Sequence, residues 1–543
     1  MPSQLRQGVL LTGIAALAFF IGLGSTHLWD DDETYFAGVA QEMAARGDWI
    51  VPWFNDRLFS HKPPFMFWMM IGAFRLFGVS EFAARLPSAL FGIANVLLIW
   101  RLGRLLYSPR VGFWGGLVLA TSLNFAVIAR AATCDAELVF FCTLPLYLFA
   151  RGFAPLRSSQ DESFTEVSNT AAGPHSASAI PSSKSQEQGN AQRPNWGTFA
   201  LLYASMGMAV LVKGPIGVLL PTTVLGLYWL LQRTGSGALS ARSSAQPEIV
   251  GNGRRGIVRE LWRRLVPRQI LQTIWSLRPI TALAAVLVVA GPWFVAVSLK
   301  TDGEFLQGFF GVHHFGRFLK PMDNHAGPIW FYLAAVCVGF FPWAIFFTPT
   351  FVQWYRRLRS GDPWSQADLL CGVWFVVWFG FFSLASTKFP HYIVPAYPAL
   401  SLVTAAFLDR WMSSGAIYGR LAGRGAWVTI GIVGIGILVV VPLLQRHYLH
   451  EIGYAGLAGL PLLVAAAVGA YFTERDRVGP ALAWLSGSTV AFLLLLFAFA
   501  APEVDRHQNS EFLADSIRAH AGANRPKIAH FHYYRPGLTY YCR

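Results

Sequence analysis

Acidic and basic side chains that could do chemistry stand beside the apolar runs of this 543-residue sequence. Four successive acids, Asp30 to Glu33, follow the first apolar run, and His61-Lys62-Pro63-Pro64 brings a cation to the start of another. Further charged residues lie near later runs: Arg130, Asp135, Lys213, Arg317 and Lys388, with His391 beside the last. Clustered cations bind phosphate, and a carboxylate can act as a base toward a hydroxyl group. The pattern therefore indicates a phosphate-bearing ligand next to an acidic catalytic group.

Both clusters also have a structural interpretation. Asp and Glu favour the first turn of a helix, which accounts for one or two of the four acids. Lys62 could simply extend its ammonium group to the membrane surface, although such a lysine does not need the prolines that rigidify its approach. Because an ionisable group at membrane depth is costly and by default marks function, the chemical interpretation is preferred.

The composition indicates what kind of protein positions these residues. Hydrophobic residues make up 54% of the chain and charged residues 13%, whereas a soluble domain has about 25% charged residues. Together with a mean hydropathy of +0.43, these values exclude soluble, disordered, collagen-like and disulfide-scaffold proteins. The five cysteines form no CxxC pair and no zinc-binding spacing. The chain is predicted to be an all-α polytopic membrane protein.

A membrane span needs about 20 apolar residues, and the sequence contains about thirteen candidates. Residues 64–78 are shorter, carry Arg75 and are predicted to form an interfacial or re-entrant helix. The first run lacks a good cleavage site, so it is predicted to be an anchor and not a signal peptide. The candidate spans lie near residues 8–24, 85–106, 111–129, 136–151, 195–213, 215–233, 279–299, 328–348, 367–386, 390–410, 425–444, 455–472 and 481–500.

The distribution of charge predicts how the chain is inserted. The formal net charge is +14, from 43 Lys and Arg against 29 Asp and Glu. Arginines dominate alternate loops, whereas residues 25–84 hold eight acids and four bases. Because cytoplasmic loops are rich in Lys and Arg, the N-terminus is predicted to be cytoplasmic, and the first loop (25–84), the active site and the C-terminus to be periplasmic. The basic charge reflects topology, so nucleic acid is not needed to explain it.

The transmembrane domain is predicted to span residues 1–500 and to carry two cytoplasmic insertions. Residues 156–194 are rich in Ser, Gln and Asn and are predicted to be disordered. Residues 234–278 are predicted to form a basic loop with a Gly/Ser linker and a surface-lying amphipathic helix. Residues 501–543 are a short α/β tail, with a helix near 509–520 and a strand at KIAHFHYY, and are too few to bury a core alone.

Several motifs recur in a fixed order across residues 32–398. The first loop reads D-E-T-Y-F-x(6)-E-M-x(3)-G-D-W-I-V-P and is followed by H-K-P-P; an acid stands before the fourth span, and Lys-Gly follows the fifth. H-x-x-R-F precedes the eighth span, and F-S-x(4)-K-x-P-x-Y-x-x-P joins the ninth and tenth. The ordered set resembles the integral membrane glycosyltransferases of the glycosyltransferase C fold, above all the lipid A aminoarabinose transferases and protein O-mannosyltransferase-like enzymes (glycosyltransferase families 39 and 83). Such enzymes often have a periplasmic C-terminal domain, so the tail here is expected to be truncated or vestigial.

The resemblance implies roles for individual residues. Asp32 and Glu33 match the catalytic acidic pair, and Asp135 matches the second acidic position. Five residues are assigned to the phosphate of the lipid donor: Lys62, Arg317, Lys213, Lys388 and Tyr392. His61 stands where the family has a glutamate. No metal or other cofactor is expected to be required, and a divalent metal held by His61 and His314 is the alternative.

The implied function is transfer of a sugar from a polyprenyl-phosphate (undecaprenyl-phosphate-like) donor to an acceptor at the periplasmic face of the bacterial inner membrane. Lys62 and Arg317 would offset the charge on the departing phosphate, while Asp32 deprotonates or orients the acceptor, with inversion at the anomeric carbon. The sequence has no nucleotide-binding motif, and the chain is expected to act as a monomer among membrane lipids. The sugar, and the choice among lipid A, glycan and protein acceptors, stay open.

A transporter or flippase of a lipid-linked saccharide is the alternative function. It would bind the same phosphate with the same cations, but it should also have polar groups along a path through the membrane and an inverted repeat. Here the strongly polar groups gather on the outer side, and the sequence has no convincing internal repeat. A non-catalytic membrane scaffold would leave the acidic and lysine motifs unexplained.

Overall fold

The structure is a computed structural model, and the part of the chain that it describes is built almost wholly from helices. The described residues are 3–30, 32–153, 195–232, 266–321, 325–360, 364–414, 419–448, 450, 453–508, 510–521 and 535–542. The predicted insertion at 156–194, most of the predicted basic loop at 234–278 and the predicted strand of the tail lie outside these residues.

The helices of five or more residues are numbered in chain order, and shorter or irregular helical segments are named by their ranges. The irregular segments are Glu304–Leu306, the π-helix Gln307–Gly316, Arg317–Leu319, the 3₁₀ helices Trp343–Phe346, Pro390–Ala396 and Ala455–Gly459, and the π-helix Leu496–Ala500. The numbered helices are α1 (Ser3–Phe20), α2 (Asp32–Arg46), α3 (Phe65–Phe77), α4 (Glu81–Leu106), α5 (Pro109–Thr121), α6 (Leu123–Ile128), α7 (Asp135–Gly152), α8 (Trp196–Lys213), α9 (Ile216–Gln232), α10 (Pro267–Ser276), α11 (Pro279–Lys300), α12 (Phe331–Gly339), α13 (Phe347–Ser360), α14 (Ser365–Leu384), α15 (Tyr397–Ser414), α16 (Gly419–Tyr448), α17 (Leu460–Glu474), α18 (Val478–Leu495), α19 (Ala501–Asp505), α20 (Ser510–Ala521) and α21 (Pro536–Tyr541).

The described residues contain eight helical segments long and apolar enough to cross a membrane, or nine if α12 and the following helix, bent by 112°, count as one span. Helices α1, α3 and α9 are apolar but shorter. These helices confirm the predicted all-α membrane class, whereas the predicted count of thirteen spans is not reproduced. Part of the difference arises where an apolar run is interrupted, since the run predicted at 111–129 breaks at Ser122 into α5 and α6.

Side-chain caps set the starts of several long helices. The hydroxyl oxygens of Ser80 and Ser108 and the amide oxygen of Asn195 each accept a hydrogen bond from the backbone N–H three residues on, at 2.8–3.3 Å. Such bonds satisfy donors that the first turn of a helix leaves unpaired. They begin α4, α5 and α8, and α8 in turn carries Lys213 at its last position.

The first loop contains α2, a short hairpin and α3. Strand β1 (Trp53–Phe54) pairs antiparallel with β2 (Arg57–Leu58) across Asn55 and Asp56, whose φ angles are 53° and 59°. Asn and Asp tolerate this left-handed region better than other residues with a side chain. The carboxylate of Glu42 on α2 accepts hydrogen bonds from the backbone N–H groups of both turn residues, at 2.8 and 3.3 Å. The hairpin is thereby tied to α2.

The tail packs on the first loop in the residues that the structure describes. Helix α20 confirms the predicted helix near 509–520. Tyr541 on α21 accepts a hydrogen bond from the Leu28 N–H at 2.8 Å and donates one to Glu81 at 3.1 Å. Asp30 accepts a hydrogen bond from the Gly537 N–H at 2.7 Å. The tail is therefore anchored beside the acidic run of the first loop.

Candidate active site

A cavity of about 530 Å³ lies among the end of the first loop, α7, α8, the start of α9 and two later segments around Arg317 and Tyr392. Its wall combines apolar and aromatic side chains with three cations and one carboxylate. A wall of this kind suits an anionic head group attached to an apolar chain. The polar lining residues are Lys62, Asp135, Lys213, His313, His314, Arg317, Thr387 and Tyr392.

Asp135 and Lys213 form an ion pair in the cavity wall. Asp135 is the first residue of α7, Lys213 is the last of α8, and the Lys213 Nζ donates to the Asp135 Oδ1 at 2.5 Å. The Lys213 ammonium also lies 4.9 Å from the centre of the Tyr392 ring. Gly214 then turns the chain with a φ of 81°, and a Cβ added there would lie 2.6 Å from the Phe309 ring. Because Gly214 has no side chain, the segment that contains Phe309 packs closely against the end of α8. This packing holds Lys213 in place.

Arg317 also contacts Tyr392, from a different segment of the chain. It follows the π-helix Gln307–Gly316, and its Nη1 donates to the Tyr392 hydroxyl at 3.3 Å. His314 ties this segment to α8, because its Nε2 lies 3.2 Å from the Lys213 carbonyl oxygen while its Nδ1 lies 2.8 Å from the Phe309 carbonyl oxygen. Tyr392 therefore contacts two cations that the sequence places far apart.

Lys62 is the third cation of the cavity wall, half-buried at the end of the first loop. Burial lowers the pKa of its ammonium group to about 8. Cys134 and Asp32 oppose this fall in pKa, whereas the charges of Lys213 and Arg317 add to it. A nearby anion favours the charged form of an amine, so a phosphate in the cavity would raise the pKa of Lys62 again.

His61 stacks on aromatic neighbours from two loops. Its ring centre lies 3.9 Å from that of His313 and 4.3 Å from that of Phe59. Burial lowers the pKa of His61 to about 2 and that of His313 to about 4, so both rings are neutral at physiological pH. His61 thus stacks on His313, whereas His314, its expected partner in a metal site, is held by backbone carbonyls. Within the described residues, no three His, Cys, Asp or Glu side chains are grouped closely enough to hold a metal ion.

Asp32 is the exposed first residue of α2. Its negative charge acts on Lys62 in the cavity wall and on His391, so the exposed carboxylate is near both side chains without being part of the wall. A carboxylate in this position is accessible to a second substrate that approaches from the side of the first loop.

Glu33, its predicted catalytic partner, is buried in a structural network. Arg85 on α4 donates to both of its carboxylate oxygens, at 2.9 and 2.8 Å, and the backbone N–H groups of Trp29 and Ala132 donate at 2.8 and 2.6 Å. Burial alone would raise the pKa of Glu33, but Arg85 and the other donors lower it below its ordinary value. The sequence motifs do not single out Arg85, although an arginine at the start of a predicted span is an available signal.

Lys388, a predicted phosphate ligand, also has a structural role, because backbone carbonyl groups bind its ammonium group. Its ammonium group donates to the carbonyl oxygens of Phe382, Ser383 and Ala385, at 3.3, 2.9 and 2.8 Å. These carbonyls are at the C-terminal end of α14, where a lysine stabilises the helix. Of the residues that the structure describes, the cavity wall includes neither Glu33 nor Lys388.

His391 has no role assigned from the sequence, and it lies next to Asp135, just outside the cavity wall. Its Nε2 lies 4.0 Å from the Asp135 Oδ2, and the charge of Asp32 also acts on it. The available signal was its position between Lys388 and Tyr392 in the K-x-P-x-Y motif.

Known proteins share sequence with the chain. Residues 61–160 match the family described as dolichyl-phosphate-mannose-protein mannosyltransferase. The undecaprenyl phosphate-alpha-4-amino-4-deoxy-L-arabinose arabinosyl transferase of Edwardsiella ictaluri is 25% identical, over 86% of this chain and 72% of its own. A second transferase so named, from Pseudomonas fluorescens, is 28% identical, over 82% of this chain and 67% of its own.

A solved structure shares the fold. The crystal structure of ArnT from Cupriavidus metallidurans bound to undecaprenyl phosphate superposes with a TM-score of 0.72 at 23% identity, over 98% of this chain and 84% of that one. These comparisons confirm the predicted glycosyltransferase C fold and the resemblance to membrane glycosyltransferases.

Proposed function

We propose that this chain of the glycosyltransferase C fold is an integral membrane glycosyltransferase that moves a sugar from a polyprenyl-phosphate donor to an acceptor by a single inverting displacement. The observation that carries the proposal is the convergence of Lys62, Lys213 and Arg317 on one largely apolar cavity, beside the exposed carboxylate of Asp32. The similar ArnT structure has undecaprenyl phosphate bound, and the relatives are named as transferases of a sugar from undecaprenyl phosphate.

The three cations serve the donor phosphate. Lys62 and Arg317 bind the phosphodiester and offset the extra negative charge that develops as the lipid phosphate departs. The charge of Lys213 is partly offset by Asp135, so this pair holds Tyr392 and the cavity wall in place while the ammonium still faces the ligand. Tyr392 holds Arg317 through its hydroxyl group. The aromatic and aliphatic wall accommodates the first isoprene units of the lipid.

The acidic residues divide into two roles. Asp32 orients the acceptor and assists its deprotonation, because it is exposed beside the cavity. Glu33 is a positioning residue that fixes the start of α2 through Arg85. Lys388 positions the end of α14 and does not bind the donor.

The site belongs to the outer face of the bacterial cytoplasmic membrane in this proposal. The N-terminus is cytoplasmic, residues 1–500 form the transmembrane domain, and residues 501–543 form a periplasmic tail. The acceptor group is a hydroxyl or a phosphate, and the molecule that carries it is a lipid, a glycan or a protein. The chain acts as a monomer and requires no metal, since its own cations offset the charge of the leaving group.

Donor affinity is expected to weaken as the pH rises above 8, the pKa to which burial lowers Lys62. The empty protein then loses the cation that the phosphate needs, and a hydrogen bond to a charged group contributes about 1.5–3 kcal/mol, so affinity should fall roughly tenfold or more. The measurement is the dissociation constant of a polyprenyl-phosphate sugar on both sides of that pH. Lys62→Arg should flatten the profile; an unchanged profile in this variant would show that another group titrates.

The proposed function is tested by transfer from synthetic radiolabelled polyprenyl-phosphate sugars to membrane extract, with purified protein. Label should move to a new product with the wild type, and Lys62→Ala and Arg317→Ala should bind donor more weakly. Lys300→Ala is a matched control, because Lys300 pairs with Asp48 in the first-loop region, outside the cavity wall. If label stays on the lipid for every donor while binding still requires Lys62 and Arg317, the chain is a transporter and the proposal is wrong.

A further inference from the structure

His391 lies near two carboxylates that come from different parts of the chain. Its Nε2 is 4.0 Å from the Oδ2 of Asp135, the first residue of α7. The other oxygen of Asp135 accepts the hydrogen bond from Lys213, so Oδ2 is the oxygen that faces the imidazole. Asp32, at the start of α2, acts on the same ring through its charge.

The ring is held in place but is still accessible. Its centre lies 4.9 Å from that of Tyr392, edge to face, and 5.3 Å from that of Phe389. About a quarter of the His391 side chain is exposed, against 7% for Asp135. The imidazole can therefore exchange a proton with a bound substrate, which the buried carboxylate behind it cannot do as easily.

We propose that His391 is a second base of the active site, which receives the proton of an acceptor hydroxyl group during sugar transfer. This inference rests on the proposed function. The ring lies next to the Asp135 carboxylate, and part of its side chain is exposed, as a residue that accepts a proton from a substrate requires.

The proposed step forms one bond to the anomeric carbon, breaks another and transfers one proton. The acceptor oxygen forms a bond to the anomeric carbon, and the bond from that carbon to the donor phosphate breaks, with its electron pair passing to the phosphate oxygen. The O–H bond of the acceptor breaks, and its proton passes to the imidazole, which later releases it to water. Asp135 keeps a proton on Nε2 and so leaves Nδ1 as the acceptor, while Asp32 orients the hydroxyl. Distances between catalytic partners are often long before substrate binds, as the 4.0 Å separation is here.

His391→Gln and His325→Gln make the same chemical change at two histidines that both contact Phe389. The His325 ring stacks on Phe389 at 4.2 Å, so its replacement controls for the loss of a histidine against this aromatic side chain. For His391→Gln we expect kcat/KM for transfer to fall by about 10²–10⁴-fold, with donor affinity unchanged. The wild type and His325→Gln should lose rate at acidic pH as the base becomes protonated, and His391→Gln should lack this limb.

Three outcomes overturn the inference, and they are distinguishable. If His391→Gln keeps the acidic limb and the wild-type rate, the imidazole is not the base. If donor affinity falls in parallel with rate in both His391→Gln and His391→Asn, the ring has a structural role only. If the wild type transfers no sugar from any donor, the proposed function fails and this inference fails with it.

Discussion

Replacing Asp32 with Asn is expected to lower the rate of sugar transfer by about 10²–10⁴-fold while the chain stays folded and still binds donor. The carboxylate is exposed at the first position of α2, so nothing in the core depends on its charge. Asn has nearly the same size and is also favoured at the start of a helix. The loss should therefore lie in kcat, because only the orientation and deprotonation of the acceptor are affected.

The measurement compares kcat and donor affinity of the wild type and Asp32→Asn. Asp56→Asn is a matched control: it removes an acid from the same loop, at a side chain 89% exposed in the hairpin turn. The control should transfer at the wild-type rate. Normal turnover by Asp32→Asn would show that this carboxylate neither orients nor deprotonates the acceptor.

Breaking the contact between Glu33 and Arg85 should have the largest effect on stability. Arg85→Met would leave the buried carboxylate with two backbone donors and would remove the bonds that Arg85 makes to the carbonyls of Leu23, Thr26 and His27. Removing one partner of a buried pair costs about 3–5 kcal/mol in the free energy of unfolding. Activity should fall as well, because these bonds hold the segment that leads to Asp32.

Thermal unfolding in detergent measures this effect, with Arg424→Met as the control. Arg424 pairs with Glu474 on the surface, where an ion pair stabilises little. Because the pKa of Glu33 lies below its ordinary value in the folded chain, the contribution of the pair is present at neutral pH and is lost as the pH falls through the folded-state pKa. Equal loss of stability in both variants, or none in Arg85→Met, would contradict a structural role of the pair.

The sequence predicted the cavity better than it predicted individual roles. Five residues predicted to be catalytic or to bind the donor line the cavity: Lys62, Asp135, Lys213, Arg317 and Tyr392. They were found because charged groups at membrane depth are rare and stand in ordered motifs. Glu33 matched a motif too, but its position depends on Arg85, 52 residues away in the chain, and only the fold brings the two together.

The role of Lys388 and the number of spans also depend on features of the fold that the sequence pattern does not show. The carbonyl partners of Lys388 become available only because α14 ends at Leu384, and the sequence does not show where the last turn lies. Apolar composition likewise does not show where a run breaks, as at Ser122 or between α12 and the next helix. His391 was missed because its approach to Asp135 is a tertiary contact.

The proposed function requires that the chain break the bond between the sugar and the lipid phosphate. It is tested most directly in proteoliposomes that contain the purified chain and a radiolabelled polyprenyl-phosphate sugar, with membrane extract as the source of acceptor. The predicted result is that label leaves the lipid and is found on an acceptor with the wild type, and stays on the lipid with Asp32→Asn. Label that crosses to the other leaflet still attached to the lipid, at the same rate in both proteins, would contradict the account.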